Sequence, residues 1–560
     1  MKKIKLTFIL TVFMSMFCTD VFAYDIAAEN EDGVMIYYRY INNGKELEVL
    51  TEHDYLDTYW GGYENITHLR IPEEVTYMNR TRKVTSIATR TFSPYGYNKI
   101  SLISISIPKT INHIGKAAFW NCNTLEKVIV EDIGAWCEID FELDGGQNGG
   151  GGMLSNPLVY AGHLYSDENT EITDLTIPEG TTKISDYAFY GCTSITSLKI
   201  SDEVKSIGNS AFYNSINLLK VDIGDGVQDV GGYAFYGCSS LNTISFGSGI
   251  KSIGEYAFRG ENGWNSKHNK IIVKDINAWC NLSMEYEQYG TPLIGEWTYS
   301  SPDNYICLYS DDTHMITDLI IPEGVTAIKN WIFHGVAGIK SVVIPNSVTT
   351  LGISAFSYCP DLEKISIGNG ITKLEDNVFA NCNKLFDVKF GNNITKIEAH
   401  AFEYCGFTSL RLPDGIESIG EYAFYSCQNL SSLTIPKTVV KIEYNAFTCD
   451  NLATVVTLIE EPFSILTHSY INTYSAFSKN TLYNATLYVP VGTLAKYQNT
   501  EGWKDFIWIE EGLPSSITAI KKESNEQSRF TIDGRNISRP LRGINIIKMP
   551  NSTTKKVMIK

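Results

Sequence analysis

The sequence is short of positive charge, of long apolar runs and of paired metal ligands. Lysine and arginine together number 46 against 63 aspartate and glutamate residues, which gives a formal net charge of −17. An acidic chain with no lysine- or arginine-dense run outside its extreme termini is not expected to bind nucleic acid. No segment reaches the ~18 apolar residues that a transmembrane helix needs. No Cys-x-x-Cys pair or cysteine–histidine cluster is present, so we expect no metal site.

The usual sequence signatures of catalysis are also missing. The nine histidines are scattered, and no G-x-S-x-G, H-E-x-x-H or paired-carboxylate motif accompanies them. Cys137 and Cys280 follow tryptophan at two matched positions, which indicates paired structural roles and not one nucleophile. The glycine run at residues 145–152 lacks the Lys-Ser/Thr of a phosphate-binding loop and is interpreted as a loop tip. We therefore expect no catalytic residue, no cofactor and no enzymatic activity.

The first 23 residues have the composition of a secretory signal peptide. Three lysines within the first five residues precede a mainly apolar stretch at residues 6–17, which is too short to span a bilayer. Cleavage after Ala23 would leave Tyr24 as the first mature residue. A lipoprotein signal would instead place Cys18 first, but the large Phe17 before it argues against that alternative. The mature protein is therefore predicted to be secreted or attached to the outer surface.

What the sequence does contain is a unit that returns every 23 residues. Its clearest copy is ITDLTIPEGTTKISDYAFYGC at residues 172–192, in which β-branched residues dominate and glycine or proline marks the corners. A fixed period of this length is typical of a solenoid, and each copy is read as strand, turn, short strand and turn. The anchor phenylalanines of the copies are Phe92, Phe119, Phe189, Phe212, Phe235, Phe258, Phe333, Phe356, Phe379, Phe402, Phe424 and Phe447.

Two further residue types recur at fixed places in the repeat. An Ile-Gly pair returns in several copies, as at Ile207-Gly208, and predicts a backbone conformation that other residues resist. Seven cysteines stand three residues after an anchor phenylalanine, where their side chains would stack inside the solenoid. We interpret them as buried thiols, although a disulfide between neighbouring turns is conceivable. The seven are Cys122, Cys192, Cys238, Cys359, Cys382, Cys405 and Cys427.

The repeats divide the mature chain into four predicted regions. Residues 24–84 form an N-terminal cap and a first irregular repeat, and residues 85–457 form the solenoid. Insertions at about 132–168 and 275–312 share the sequence D-I-x-A-W-C and are interpreted as variants of one repeat. Residues 458–512 are predicted to be a C-terminal cap, and residues 513–560 a linker with a small all-β tail that serves in sorting or anchoring.

The repeat resembles the BspA-type leucine-rich repeat family of bacterial surface proteins. Its pattern L-x-x-L-x-I-P-x-x-V-x-x-I-G-x-x-A-F-x-x-C is fullest at residues 339–359 and 408–427. The resemblance implies a curved, β-rich leucine-rich-repeat solenoid on the cell surface, and several members of the family bind host matrix proteins, host cells or other bacteria. The family has no shared catalytic motif. The tail, with Asp533-Gly534-Arg535, Gly543–Ile547 and Lys555–Lys560, is similar to sorting segments of Bacteroidetes-type secreted proteins.

The residues between the buried strand positions are expected to face the concave surface, and most of them are small or polar. Ile320 and Val343 are aliphatic exceptions in adjacent copies, and Lys389 and Arg411 follow about two turns later. We predict that these four residues bind a protein ligand, such as a host matrix or cell-surface protein. The alternative is that the second insertion, which ends at Asp312, covers the aliphatic pair.

Two other functions compete with adhesion. Tyrosines beside many anchors could form an aromatic ladder that binds glycans for nutrient capture, although such residues more often cover the convex side of a solenoid. The protein could also be a structural surface scaffold without a dedicated ligand. Tyrosine and tryptophan clustered on one exposed face would favour glycans, whereas a featureless solvated face would favour the scaffold. The tyrosines are Tyr187, Tyr190, Tyr233, Tyr236, Tyr256, Tyr422 and Tyr425.

Overall fold

The chain forms two compact units, each built from stacked turns of β-strand. The computed structural model describes residues 24–52, 63, 65–93, 100–143, 155–259, 269–284, 305–468 and 473–514, and three strands near the C terminus. The first unit comprises Met1–Val342 and Tyr358–Asp361, and the second comprises Val343–Ser357 and Leu362–Lys560. The predicted signal peptide and the glycine run lie outside the described residues. No helix within the described ranges is both long and apolar enough to cross a membrane.

The first strand of each turn, called a face strand here, pairs in parallel with the face strands of the neighbouring turns. In the first unit these strands lie in a four-stranded and a seven-stranded sheet, followed by the face strand Asp318–Ile320. The four-stranded sheet contains, in spatial order, His68–Arg70, Ser104–Ile107, Lys127–Val130 and Leu164–Tyr165. The seven-stranded sheet contains Asp174–Thr176, Ser197–Lys199, Lys220–Asp222, Thr243–Phe246, Asn269–Val273 and Ile306–Tyr309. Its last strand, Val336–Ala337, is not a face strand, because it follows a corner strand in its turn.

The second unit has face strands of the same kind. Lys364–Ile367 pairs in parallel with Asp387–Lys389. A five-stranded parallel sheet follows, and the strand Ser341–Ile344 lies at the boundary between the two units. The five strands are Ser409–Arg411, Ser432–Ile435, Thr454–Thr457, Thr486–Val489 and Trp508–Glu511.

The second strand of each turn, called a corner strand here, is usually only two residues long. Corner strands also pair in parallel along each unit, for example Lys183–Ile184 with Ser206–Ile207. In the first unit they are Arg80–Ile87, His113–Ile114, Asp140–Phe141, Lys183–Ile184, Ser206–Ile207, Asp229–Val230, Ser252–Ile253, Ser283–Met284 and Ala327–Ile328. In the second unit they are Thr350–Leu351, Lys373–Leu374, Lys396–Ile397, Ser418–Ile419 and Lys441–Ile442.

Other elements stand at the ends of the repeat array. The start is an antiparallel sheet of Ile26–Glu29, Met35–Ile41 and Glu46–Leu50, with the 3-10 turn Asn42–Gly44 between its last two strands. Glu74–Tyr77 pairs with Arg80–Ile87 in a further hairpin. After the last corner strand come the hairpin Leu466–His468 and Thr473–Ser475, the helices Lys479–Asn484 and Leu494–Asn499, and the 3-10 turn Trp503–Asp505. Ser528–Thr531, Gly543–Lys548 and Thr554–Ile559 form a separate antiparallel sheet.

Strict register along the strands explains why the period is so regular. Leu175, Leu198, Val221 and Ile244 lie opposite one another in successive face strands, and all four are buried. Because strand side chains alternate between two faces, a shift by one residue would turn this whole row towards solvent. The polar residues on either side of each buried position therefore point outwards. The predicted 23-residue solenoid is confirmed.

Anchor phenylalanines of successive copies stack on one another in the core of each unit. In the first unit, the ring centroids of Phe189, Phe212 and Phe235 follow one another at 5.0 and 5.1 Å, with interplanar angles of at most 7°. In the second unit, Phe379, Phe402 and the later anchors are stacked in the same way at 5.2–5.5 Å. Within these runs each ring contacts the ring of the next turn, which couples neighbouring turns through apolar contact.

The Ile-Gly glycines do not have the unusual backbone conformation that the sequence suggested. A Cβ atom on Gly208 would lie 2.4 Å from the backbone nitrogen of Asp186, and one on Gly254 would lie 2.5 Å from that of Gly232. These glycines are needed because neighbouring turns pass too close for a side chain. The left-handed conformation occurs two residues later, at Ser210 (φ 53°) and Tyr256 (φ 55°).

Both insertions begin as turns of the solenoid, although each is longer than a normal copy. Short helices, Ile133–Cys137 and Ile276–Asn281, start at Asp132 and Asp275, whose side chains accept hydrogen bonds from the first turn of each helix. Their buried tryptophans are tied to the next repeat, because each indole N–H donates to a backbone carbonyl of that repeat. The bonds are Trp136 Nε1 to Ala188 O at 2.8 Å and Trp279 Nε1 to Ile332 O at 3.2 Å.

Candidate functional site

The outward side chains of the face strands, called the strand face here, carry the four residues that the sequence assigns to binding. Ile320 is 68% exposed and belongs to the first unit. Val343 is 43% exposed, and Lys389 and Arg411 are also exposed, all three in the second unit. All four side chains are accessible. A patch shared by Ile320 and Val343 would span two units and stays a prediction.

The described end of the second insertion contacts lysines and not Ile320. The Asp312 carboxylate lies 3.4 Å from the ammonium groups of both Lys220 and Lys270. Both lysines precede the insertion in sequence and stand on face strands of the seven-stranded sheet. Ile320 lies on the strand that follows the insertion and keeps most of its surface exposed. The described residues of the insertion therefore leave Ile320 open.

In the second unit, positive side chains alternate with polar ones on paired strands. Lys364 lies opposite Asp387 in the strand register, and Lys389 lies opposite Ser366. The Lys364 ammonium also stands 5.8 Å from the ring centroid of Phe386. Because parallel pairing fixes the backbone at both strands, these side chains extend from a rigid base.

Arg411 has a local acidic neighbour on the same surface. Its guanidinium lies 3.3 Å from the carboxylate of Asp414, and both side chains are well exposed. An ion pair this exposed contributes little to stability, so the guanidinium can exchange Asp414 for another partner at small cost. The strand face of the second unit thus presents cations that are held loosely by their own surroundings.

Sequence reasoning missed two exposed aromatic side chains at the face strands of the second unit. Phe386 is 47% exposed and immediately precedes a face strand, where other copies carry polar residues such as Thr196, Asn242 and Thr408. Trp508 is 59% exposed and begins the last face strand. For Phe386 the signal was present, since an apolar residue at a position that is otherwise mostly polar could have been detected by aligning the copies.

The tyrosines beside the anchors stack mainly on one another. Tyr190 and Tyr213 stack at 4.6 Å with an interplanar angle of 4°, and Tyr213 and Tyr236 stack at 5.0 Å and 19°. A sugar stacks on the open face of an aromatic ring, but here neighbouring rings cover those faces. All three tyrosines are half-buried. This arrangement favours a structural role, in which the tyrosines couple successive turns, over a role in binding glycans.

Buried cysteines join neighbouring turns through hydrogen bonds. Seven donate through Sγ to the carbonyl of the anchor phenylalanine one turn earlier at 2.9–3.2 Å: Cys122, Cys238, Cys359, Cys382, Cys405, Cys427 and Cys449. Burial raises the pKa of the Cys122, Cys238 and Cys280 thiols to about 12. Since the thiolate is the nucleophile and the metal ligand, these side chains are unsuited to either role.

The described part of the chain also brings no three histidine, cysteine, aspartate or glutamate side chains together to hold a metal ion. His334 is buried between Trp331 and Tyr358, with ring centroids at 5.2 and 5.5 Å. Burial lowers its pKa from 6.5 to about 3, so the ring is neutral near pH 7. His400 is paired with Glu403 at 2.8 Å. The His400 ring also stacks on Tyr422 at 4.9 Å, so both histidines take part in aromatic packing.

Comparison with solved structures finds two leucine-rich proteins and a vaccine antigen. A leucine-rich repeat protein from Bacteroides ovatus is 24% identical over 77% of this chain and 94% of its own, with a TM-score of 0.45. A leucine-rich cell surface protein from Faecalibacterium prausnitzii is 23% identical over 77% and 95%, with a TM-score of 0.36. The pneumococcal vaccine antigen PcpA is 15% identical over 88% and 100%, with a TM-score of 0.35. No curated protein sequence matches the chain.

The sequence pattern of one family accounts for most of the repeats. The BspA type leucine-rich repeat region matches in six copies, over residues 85–136, 165–281, 307–409 and 395–497. These ranges cover more than half of the chain and contain every anchor from Phe92 to Phe447. They include only the beginning and the end of each insertion. The chain belongs to the BspA-type leucine-rich repeat family.

Proposed function

We propose that this chain is an exported surface protein that binds a protein partner, without catalysis, through the strand face of its second unit. The observation that carries the proposal is the set of exposed cations and apolar side chains on rigid, register-paired strands. Val343 supplies an aliphatic contact, Phe386 an aromatic one, and Lys389 and Arg411 supply charge. Export rests on the predicted signal peptide, which lies outside the described residues.

The chemistry of this surface favours a protein over a glycan. Aromatic and arginine side chains dominate the binding energy of protein interfaces when they are enclosed by a partner. The chain as a whole has a net charge of −17, so cations gathered on one face favour a partner segment with negative charge. The stacked tyrosines, by contrast, offer a sugar little open ring surface. Host matrix and cell-surface proteins are the partner class that we propose.

The test is a binding screen of the mature chain, residues 24–560, against immobilised matrix proteins and a glycan array. For any protein that binds saturably, we expect the double variant Lys389→Glu/Arg411→Glu to weaken binding by about tenfold or more. The matched control is Lys396→Glu/Lys437→Glu, which changes the net charge equally at exposed positions outside the face strands. The control should bind as the unchanged chain does.

The other results of this screen would point elsewhere. Equal losses in the two double variants would mean that net charge, and not this surface, governs binding. Binding to glycans alone would favour nutrient capture, and no binding in either panel would favour a scaffold without a ligand. Ile320→Ser and Val343→Ser, measured separately, test the predicted aliphatic contribution of each unit. A loss of affinity without a loss of thermal stability would support it.

A further inference from the structure

Two hairpins of matching sequence cross the strand face of the first unit. The first strap is residues 164–172 (LYSDENTEI), and the second strap is residues 308–316 (LYSDDTHMI). Each closes with an isoleucine N–H that donates 2.8 Å to the carbonyl of the starting leucine. In each, the fourth residue, Asp167 or Asp311, accepts backbone N–H groups of the turn at 2.8–3.0 Å. The straps are two copies of one folded element.

The second strap reaches back across the sheet from which it departs. It leaves the face strand Ile306–Tyr309, yet its Asp312 carboxylate contacts Lys220, which stands three strands away. The hairpin therefore lies over the two strands in between. The outward residues there, Ser245 and Ile272, are each only 5% exposed. On this part of the face the strap occupies the place that a partner would take.

The first strap crosses its own sheet in the same way. It leaves the face strand Leu164–Tyr165, and its Glu168 carboxylate lies 3.6 Å from the guanidinium of Arg70, again three strands away. The outward residues Ser106 and Ile129 lie on the two strands between them, and both are buried. The same covering thus occurs twice in the first unit.

Each strap is held by a lysine that contacts the tyrosine ring and a main-chain carbonyl of the strap. The Lys270 ammonium stands 4.8 Å from the ring centroid of Tyr309, and it donates to the backbone carbonyl and to the carboxylate of Asp312. Lys127 stands 4.8 Å from the ring centroid of Tyr165 and donates 3.3 Å to the carbonyl of Glu168. The second cation is Lys220 in one copy and Arg70 in the other. We call each pair of cations a seat.

The strap residue that the seat binds differs between the two copies, but it is acidic in both. One seat holds an aspartate and the other a glutamate, each through the side-chain carboxylate and the main-chain carbonyl. The Asp312 and Glu168 side chains are well exposed, and ion pairs that face solvent in this way are weak and sensitive to salt. A competing acid could therefore displace the strap without disturbing the solenoid.

We propose that the seats on the first unit bind an acidic polypeptide segment of a partner, and that each strap is a built-in competitor that must be displaced first. A polypeptide fits better than an acidic polysaccharide, because each seat engages a peptide carbonyl together with the carboxylate. Displacement would also uncover Ile129 or Ile272, which adds apolar contact to the new surface. This site is independent of the second-unit surface proposed above.

The test uses the mature full chain and a synthetic poly-glutamate peptide as the probe. Asp312→Asn removes the competing carboxylate, so we expect faster amide hydrogen exchange at residues 310–316 and about five- to tenfold tighter binding of the peptide. Glu179→Gln is the matched control, because it removes one exposed negative charge elsewhere in the first unit. The control should change neither quantity.

A second variant separates the seat from general electrostatics. Adding Lys270→Gln to Asp312→Asn should keep the fast exchange but abolish the gain in peptide binding. The proposal is overturned if Asp312→Asn loosens the strap without tighter binding, or if it leaves exchange unchanged. It is also overturned if a sulfated polysaccharide gains as much affinity as the peptide. All variants should retain the thermal unfolding temperature of the unchanged chain.

Discussion

At the scale of single residues, the buried thiols show how one turn is joined to the next. Cys405 donates 3.2 Å to the carbonyl of Phe379, and burial raises the pKa of its thiol well above the ordinary value. A protonated thiol is a small apolar side chain with one weak donor, which suits a position where a single carbonyl is within reach. Serine could also donate there, but it would bury a more polar group.

The same burial predicts how the cysteines react. In the native mature chain, we expect the eleven thiols from Cys122 to Cys449 to resist a disulfide-exchange reagent such as Ellman's reagent, because all are buried. After denaturation in guanidinium, all eleven should react. Cys307 and Cys238, the most accessible of them at 7% exposure, should react first if the native chain opens locally. A thiol that reacts fully within seconds in the native chain would contradict this packing.

The two packed histidines predict a pH dependence. Burial lowers the pKa of His334 to about 3, whereas the unfolded side chain titrates near 6.5. Between these values the unfolded state binds the extra proton, so this contribution to stability is complete above pH 6.5 and is lost as the pH falls. Tyrosine stands at the equivalent place after Phe189 and Phe212. We therefore expect His334→Tyr to reduce the loss of thermal stability between pH 6.5 and 4.

His400 should respond in the opposite direction. Its hydrogen bond with Glu403 raises its pKa above 6.5, so its contribution is complete below the unfolded pKa and is lost as the pH rises through the folded value. NMR titration of the His400 ring should show the raised pKa, and Glu403→Gln should lower it.

One outcome would contradict the prediction for His334. If His334→Tyr and the unchanged chain lose stability equally on acidification, the buried neutral ring is not the cause.

At the scale of the turn, close backbone approach is what makes glycine necessary. A Cβ on Gly231 would lie 2.7 Å from the nitrogen of Asn209 and 2.8 Å from the carbonyl carbon of Gly208, whereas one on Gly232 would meet nothing nearer than 3.4 Å. We expect Gly231→Ala to destabilise the first unit by roughly 1–3 kcal/mol, since backbone cannot move aside cheaply. Gly232→Ala is the matched control and should be close to neutral. Thermal unfolding of both variants checks the difference, and equal midpoints would contradict it.

The turn also shows what the sequence could and could not predict. The 23-residue period placed the anchors, the buried strand positions and the inward cysteines, because each of these depends only on its own copy and the next. The predicted backbone conformation of the Ile-Gly glycines was wrong. These glycines depend on the distance between two turns, which the sequence of one copy does not contain. The straps were missed for a similar reason. Asp312 contacts Lys220, which is 92 residues away in the sequence, and no local sequence pattern predicts that contact.

At the scale of the whole molecule, the two compact units should be separable by their unfolding. In a stack where each turn contacts mainly its neighbours, a local loss affects nearby turns most. Phe379 lies in the second unit and Phe212 in the first, and both rings are fully buried. Either anchor changed to alanine should cost roughly 3–5 kcal/mol, the usual range for a buried phenylalanine.

Calorimetry of the two variants tests whether each substitution destabilises only the unit that contains it. Phe379→Ala should lower the unfolding temperature of one transition, and Phe212→Ala that of the other, with the remaining transition unchanged in each case. The two single variants serve as controls for each other. One sharp transition that shifts as a whole in both variants would show that the units unfold together.

The hydrogen bonds that join successive turns have a mechanical consequence. Phe189, Phe212 and Phe235 each donate through the backbone nitrogen to a carbonyl of the next turn at 2.6–2.7 Å, so within a unit these bonds run from turn to turn. Tension that pulls an end turn away from its neighbour would load the bonds of that turn first, so the turns would separate one after another. Each released turn would lengthen the chain by about 80 Å. A surface protein built in this way would yield stepwise under a sudden pull, and optical-tweezers traces of one unit should show steps of that length.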